Sequence, residues 1–150
     1  MDMPSKPSQS AEDYLERIHE LLESKGTAHV ADIAQSLGVG QPSVTSMVQK
    51  LADEGYLHYE KYRALTLTDA GRAVAEQIRD RHQVLAGFFT LFELDAETQA
   101  RDIEGIEHHL SADTLKTLAD LTVFFEQHPE VLAQFKASRA AQPAEASKGK

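Results

Sequence analysis

The chain contains no cysteine. Disulfides, cysteine-type zinc sites and thiol catalysis are thereby excluded. It has no run of about 18 apolar residues, so no membrane span is expected. The opening segment "MDMPSKPSQS" lacks the apolar stretch of a secretory signal, and a cytoplasmic location is expected. Basic residues are scarce: 15 Lys and Arg stand against 24 Asp and Glu, a formal net charge of −9. That balance argues against a generic nucleic-acid binder. The deficit is uneven, however. Residues 27–68 hold three Lys/Arg and four Asp/Glu, whereas the flanks carry net charges of −3 and −5. The excess acid lies outside the middle segment and calls for its own explanation.

What is present is a chain of 150 residues, 41% hydrophobic, enough for one domain or two small ones sharing a core. No internal repeat is visible. Residues 1–9 read as a loose arm. Ser10 then reads as an N-cap with Asp13 three positions on, opening a helix from about Ala11 to Lys25 that Gly26 stops. "HVADIAQSLG" is a short helix ended by Gly38. After a tight turn comes "PSVTSMVQKLADEG", with Pro42 in its first turn and Val44, Val48 and Leu51 as its inner stripe. "YLHYEKYRALTLT" changes period from 3.6 to 2. Leu57 and Tyr59 alternate on one arm, Leu65 and Leu67 on the other, with a tip at 60–63. Thr68 caps a long helix of about 69–92, and further helices follow. From about Ala137 large apolar residues vanish, and a disordered tail is expected over 137–150.

Helix, tight turn, helix and hairpin in that order predict a winged helix-turn-helix, whose second helix enters the DNA major groove. Its leading residues Gln41, Pro42, Ser43, Thr45 and Ser46 point away from the apolar stripe and suit contacts to bases or phosphates. Lys61, Tyr62 and Arg63 at the hairpin tip suit backbone phosphates. A small helical bundle that binds no nucleic acid fits the same segment.

The acid concentrates in "DIEGIEHHLS", where Glu104, Glu107 and His108 are spaced i, i+3, i+4 and share a helix face. Taken alone this is a solvated face. Asp13 and Glu16 repeat the i, i+3 spacing on the first helix, although Asp13 is also placed to cap and Glu16 to pair with a nearby cation. His82 falls on the apolar stripe of the long helix, four after Ile78 and three before Leu85. Four carboxylates and two imidazoles on three helices could converge. Such a cluster repels itself unless two divalent cations neutralise it. Sulfur-free, oxygen-rich ligation suits Mn²⁺ and other hard ions.

The stretches "EDYLERIHEL", "QPSVTSMVQKLADEGYL", "EKYRALTLTDAG", "RHQVL" and "DIEGIEHHLS", in order over residues 11–111, resemble the diphtheria-toxin-repressor (DtxR) family of metal-dependent repressors, in particular its manganese-responsive members. A weaker likeness continues to about residue 135. The resemblance implies that Asp13, Glu16, His82, Glu104, Glu107 and His108 are the metal ligands. His109 is read as structural or supporting. Iron-responsive relatives carry Met and Cys where this chain has Asp13 and Glu104. Iron-responsive members often add an SH3-like third domain, and this chain is expected to be too short for one. Two departures stand out. Ser46 replaces a glutamine of the iron-type recognition helix, and Ala64 replaces a glycine of close relatives, so the operator does not carry over.

The expected fold is therefore mainly α. A winged helix-turn-helix DNA-binding domain at 1–70 precedes an all-helical metal-binding and dimerisation domain at 71–136. Phe88, Phe89, Phe92, Leu115, Leu118, Leu121, Phe124 and Phe125 supply apolar surface for a two-fold interface. The expected function is a Mn²⁺-responsive repressor of manganese uptake genes, not an enzyme. It would hold two ions per subunit at the domain junction, act as a homodimer on a palindromic double-stranded operator, and have no membrane partner. Fe²⁺, Co²⁺, Zn²⁺ and Cd²⁺ are compatible with the same donors. Two alternatives remain: a winged-helix regulator of a small organic ligand, and a di-metal carboxylate enzyme. The latter needs a Glu-x-x-His on each of two helices, whereas here that spacing occurs once, at Glu16 and His19.

Overall fold

The computed structural model describes residues 6–142. They form seven helices and a two-stranded sheet: α1 (Gln9–Lys25), α2 (Val30–Leu37), α3 (Gln41–Asp53), β1 (Leu57–His58), β2 (Thr66–Leu67), α4 (Asp69–Leu91), α5 (Ala96–Ile106), α6 (Ala112–Gln127) and α7 (Pro129–Ala140). The chain divides into two compact units, residues 1–81 and 82–150. The division falls inside α4. Ala75, on the first turns of α4, belongs to the core of the first unit.

In the first unit α1 starts earlier than the sequence suggests. Ser8, not Ser10, is the N-cap: its extended backbone turns the chain in, and its hydroxyl accepts the Ala11 N–H at 3.2 Å. Ala11 is buried, and Glu12 lies in the first turn against the positive helix end. Asp13 is left inside the helix, away from any capping position. At the other end Gly26 takes φ 79 and donates its N–H to Leu22, a C-terminal stop that suits a residue with no Cβ.

The helix-turn-helix forms as read, and the wing forms with shorter arms than the sequence suggests: each strand has two residues, so Tyr59 and Leu65 lie beyond the pairing. In α2, His29 caps while the Asp32 carboxylate accepts the His29 N–H at 3.2 Å. The helix then packs on α3. Val44, Val48 and Leu51 are fully buried, and Pro42 sits in the first turn of α3. The strands pair antiparallel with Leu57 opposite Leu67 and His58 opposite Thr66, so both leucines point inward and both polar residues outward. The returning arm is also tied to the α1–α2 connection, by the Leu65 N–H donated to the Ala28 carbonyl at 2.7 Å. Thr68 joins wing to α4: its hydroxyl donates to the Gly55 carbonyl at 2.6 Å and accepts the Gly71 N–H at 3.1 Å. Gly71 is packed so closely that a Cβ there would overlap the Tyr56 carbonyl.

The second unit holds the end of α4 with α5, α6 and α7. Asp95 caps α5 and Ser111 caps α6, each accepting an N–H three residues on. Leu85 and Ile103 are buried, and α6 packs on α7. Phe92 meets Phe88, Phe125 and Phe135 at ring-centroid distances of 4.9, 5.4 and 5.2 Å. No residue of α6 is fully buried, and Leu121, Val123 and Phe124 are exposed on it. Helix α7 continues to Ala140, into the segment expected to be disordered. Ala137, Arg139 and Ala140 are strong helix formers, and Lys136, one turn earlier, pairs with Glu93 at 3.2 Å. The remainder of the expected tail, 143–150, and the first five residues of the expected N-terminal arm lie outside the described residues.

Candidate metal centre and nucleic-acid interface

The acidic motif is built by the end of α5. The helix proper stops at Ile106, short of the i, i+3, i+4 face that the sequence places wholly on a helix. The spacing survives because Glu107 keeps right-handed helical angles and donates its N–H to the Ile103 carbonyl at 2.9 Å. His109 closes the turn on the Ile106 carbonyl at 3.0 Å. Glu104, Glu107 and His108 are thus brought together, each offering a ligand atom within 4.8 Å of the others'. The three differ in exposure. The side chains of Glu107 and His108 are 1% exposed, whereas that of Glu104 is 58% exposed and approaches His108 Nε2 at 3.9 Å. His108 Nε2 is 3.6 Å from Glu107 Oε1.

His82 joins them from α4. Its Nδ1 lies 3.1 Å from Glu107 Oε2. Its side chain is 49% exposed, so it is not embedded in the apolar stripe as the sequence suggests. Ile78 and Leu85 are buried on that stripe. His82 lies at the edge between them, where one side of its ring meets Glu107 and the other meets solvent. The donors of the second unit are therefore three oxygen-and-imidazole residues at one turn and a fourth at hydrogen-bond distance. Oxygen and imidazole with no sulfur suits a hard or borderline divalent cation. Taking a carboxylate out of water costs several kcal/mol unless positive charge compensates it, and Glu107 is such a carboxylate. The residues fit a divalent metal.

Asp13 and Glu16 sit one turn apart on α1, both half-buried. His19, the other half of the lone Glu-x-x-His spacing, is committed elsewhere in the first unit. Its Nε2 lies 3.5 Å from Glu23 and 3.9 Å from Glu76, and Arg79 holds Glu23 at 3.0 Å. The di-metal enzyme reading loses its motif there.

On the DNA-reading side, Gln41, Pro42, Ser43 and Ser46 are exposed on α3 and Thr45 is half-exposed, opposite the buried valines. Gln41 and Thr45 line a groove of about 250 Å³ together with Lys61, Tyr62 and Arg63. The recognition-helix and wing residues thus share one surface, while Pro42, Ser43 and Ser46 extend it along α3. The sequence reading missed His29, which lines the same groove. The signal was available: His29 and Asp32 have cap spacing at the start of the first helix of the motif.

A winged helix-turn-helix followed by a helical unit with a carboxylate–imidazole centre defines a metal-responsive DNA-binding regulator. Residues 6–65 match the family described as iron dependent repressor, N-terminal DNA binding domain, and residues 68–136 match iron dependent repressor, metal binding and dimerisation domain. The chain belongs to this family of metal-dependent transcriptional repressors and is not an enzyme. The HTH-type transcriptional regulator MntR of Listeria monocytogenes serotype 4a is 44% identical over 137 residues, 91% of this chain and 96% of the relative. That of Bacillus pumilus is 47% identical over 128 residues, 85% and 89% of the two chains. Among solved structures, the manganese regulator SloR aligns with a TM-score of 0.65 at 27% identity, over 77% of this chain and 54% of its own. A manganese-dependent transcriptional repressor in complex with manganese aligns with a TM-score of 0.68 at 27% identity, over 76% and 53%. This chain thus spans about half the length of those two solved chains. No helix among the described residues is long and apolar enough to cross a membrane.

Proposed function

We propose that the chain is a manganese-responsive repressor of manganese uptake genes, working in the cytoplasm as a homodimer on a palindromic operator. The observation that carries the reading is the buried Glu107–His108 pair with His82 on the second oxygen of Glu107. In this reading Asp13, Glu16, His82, Glu104, Glu107 and His108 hold two ions per subunit, enough positive charge to balance four carboxylates. The support for Asp13 and Glu16 is chemical. They are oxygen donors one turn apart on a helix whose cap is supplied by Ser8, so capping does not account for Asp13. The bound ions supply the charge that lets these carboxylates lie together. Without that charge the carboxylates repel, and α1 is not tethered to the second unit. The reading heads of a dimer then sample many spacings, few of which fit successive major grooves. Ordering them raises operator affinity without a large structural change.

Oxygen donors at Asp13 and Glu104 favour manganese over softer ions, and the relatives named above for manganese point the same way. Fe²⁺, Co²⁺, Zn²⁺ and Cd²⁺ remain compatible with the same groups. Gln41, Pro42, Ser43, Thr45 and Ser46 would face base edges and phosphates, and Lys61, Tyr62 and Arg63 would lie along the backbone. The exposed apolar residues of α6 suit the two-fold interface. The test is a binding titration on duplexes that the Mn²⁺-loaded chain enriches from a random-sequence library. Affinity should vanish with chelator and return with Mn²⁺. Equal affinity under both conditions sinks the reading.

A further inference from the structure

Ion pairs within one helix, such as Arg17–Glu20 on α1 and Arg72–Asp69 on α4, leave the two helices free to move against each other. A different arrangement joins the second half of α1 to α4. Arg79 Nη1 donates to Glu23 Oε1 at 3.0 Å, across 56 positions of sequence. The same oxygen lies 3.5 Å from Nε2 of His19, and that nitrogen lies 3.9 Å from Oε1 of Glu76. The order Glu76, His19, Glu23, Arg79 thus runs α4, α1, α1, α4. Each helix gives two members one turn apart, so the helices are joined at both ends of the row. The imidazole in the middle is 9% exposed, whereas the three charged side chains are about half-exposed. Ile18 on α1 and Ala75 and Ile78 on α4, each next to a member of the row in sequence, are buried. The row therefore runs along the edge of the apolar face that each helix buries.

Its place along both helices gives it a role. Glu16 precedes His19 by three residues on α1, and His82 follows Arg79 by three on α4. The row is thus one helical turn from a metal-ligand candidate on each helix. We propose that His19, Glu23, Glu76 and Arg79 are positioning residues for the metal response, a clamp that holds α1 in one register on α4 before any ion arrives. The proposal rests on the reading of Asp13 and Glu16 as ligands and adds how that half of the site is kept ready. An ion binds only those conformers in which its ligands can converge, and its apparent affinity falls with the fraction of such conformers. Apolar contacts are non-directional, so the buried faces alone let α1 roll and slide on α4. The ion must then do the ordering, at a cost in affinity. Directional pairs across the two helices remove that freedom. A half-exposed ion pair adds little to stability, but choosing between neighbouring registers needs only a small bias. The clamp sets how much metal is needed, not the complex finally formed.

The test uses the full chain with Glu23→Met or Arg79→Met, each an uncharged side chain of similar length and good helix propensity. In calorimetric titration the Mn²⁺ affinity of each should fall about two- to fivefold, the factor that the better half-exposed pairs are worth. The double variant should be no weaker than the weaker single one, because either change opens the same link. Arg79→Lys keeps the charge and should retain most of the wild-type affinity. The Mn²⁺ concentration for half-maximal binding to a duplex enriched from a random-sequence library should rise by the same factor. The plateau at saturating Mn²⁺ should stay at the wild-type level. A purely structural pair behaves otherwise: melting midpoints with chelator and with Mn²⁺ fall alike, and Mn²⁺ affinity does not change. Unchanged Mn²⁺ affinity in both methionine variants overturns the proposal, as do additive losses in the double variant or a failure of Arg79→Lys to rescue. Asp13→Asn combined with Glu16→Gln is the control for the underlying reading. If it lowers Mn²⁺ affinity and the methionine variants do not, the clamp alone fails. If it leaves Mn²⁺ affinity intact, the ligand reading of α1 fails and takes the proposal with it.

Discussion

The Nδ1 of His82 lies 3.1 Å from Oε2 of Glu107, pairing a half-exposed imidazole with a carboxylate that is 1% exposed. Glu107 is thus the one acidic ligand candidate of the second unit that folding takes out of water, and burying its charge is costly. Glu107→Gln keeps the shape and a hydrogen bond to His82 while removing that charge. The metal-free variant should be as stable as the wild type or more stable, by up to about 1 kcal/mol. Its Mn²⁺ affinity should fall at least about tenfold, since a first ligand should matter no less than the outer partners whose loss costs 10–100-fold. Thermal melts with chelator and with Mn²⁺ read both. A destabilised metal-free variant with a full Mn²⁺-induced rise would show that Glu107 is structural.

Ser8 and Asp13 make opposite predictions. Ser8 accepts the Ala11 N–H at 3.2 Å, so Ser8→Ala should cost about 1 kcal/mol of stability. It should leave Mn²⁺ affinity unchanged. Asp13 lies half-buried within α1, where Asn is a near-isosteric replacement, so Asp13→Asn should shift stability by no more than about 1 kcal/mol. If Asp13 is a ligand, its Mn²⁺ affinity and Mn²⁺-dependent duplex binding should fall far more than stability does. Calorimetric titration beside a thermal melt separates the two residues. Intact metal affinity in Asp13→Asn would leave the tether to Glu16 alone.

The difference between what the sequence revealed and what it hid follows from the range of each interaction. The stripe Val44/Val48/Leu51 and the alternation around Leu57 and Leu67 report local periodicity, and both elements formed where periodicity puts them. The ligand trio at the end of α5 was legible because its spacing is a helical one, even though the regular helix stops at Ile106. The start of α1 was misplaced because Ser8 and Ser10 are equally good caps in isolation. Burial of Ala11 in the core favours the earlier start. The exposure of His82 was likewise hidden. Period alone puts it on the stripe of Ile78 and Leu85, while its actual environment depends on Glu107, twenty-five positions away. The groove shared by α3 and the wing depends on the hairpin's fold-back, which no single helix face encodes.

Gly71 tests the joint between wing and α4. An alanine in a helix is worth about 1 kcal/mol over glycine, so a helix-propensity argument predicts that Gly71→Ala stabilises. The packing argument predicts the reverse, because the new Cβ would overlap the Tyr56 carbonyl, a backbone atom that cannot swing aside. Overpacking of this kind costs roughly 1–3 kcal/mol, which outweighs the propensity gain. The variant should melt lower and, by displacing the wing from α4, bind duplex more weakly at saturating Mn²⁺. A raised melting midpoint would show that the joint has room to relax.

Asp95 predicts how the helix carrying the metal ligands responds to acid. Its carboxylate accepts the Thr98 backbone N–H at 2.7 Å and the Thr98 hydroxyl at 3.1 Å, and these bonds, the backbone one foremost, lower its pKa below the ordinary 3.8. A group that holds its proton less tightly in the folded state contributes stability that is fully present above the unfolded pKa. That contribution is lost as pH falls through the lower folded value. Asp95→Asn supplies the same acceptor without a titrating charge. The stability difference between wild type and variant should therefore be flat from neutral pH down to about 4. Below that it should move against the wild type as its carboxylate takes up a proton. Urea unfolding of the two metal-free proteins across that range gives the difference directly, because every other carboxylate cancels between them. High salt should shrink it, since Asp95 is exposed and its attraction to the α5 N-terminus is screened. A difference that stays flat through the acid range would mean that the Asp95 carboxylate binds its proton equally in both states, and that α5 is capped without help from its charge.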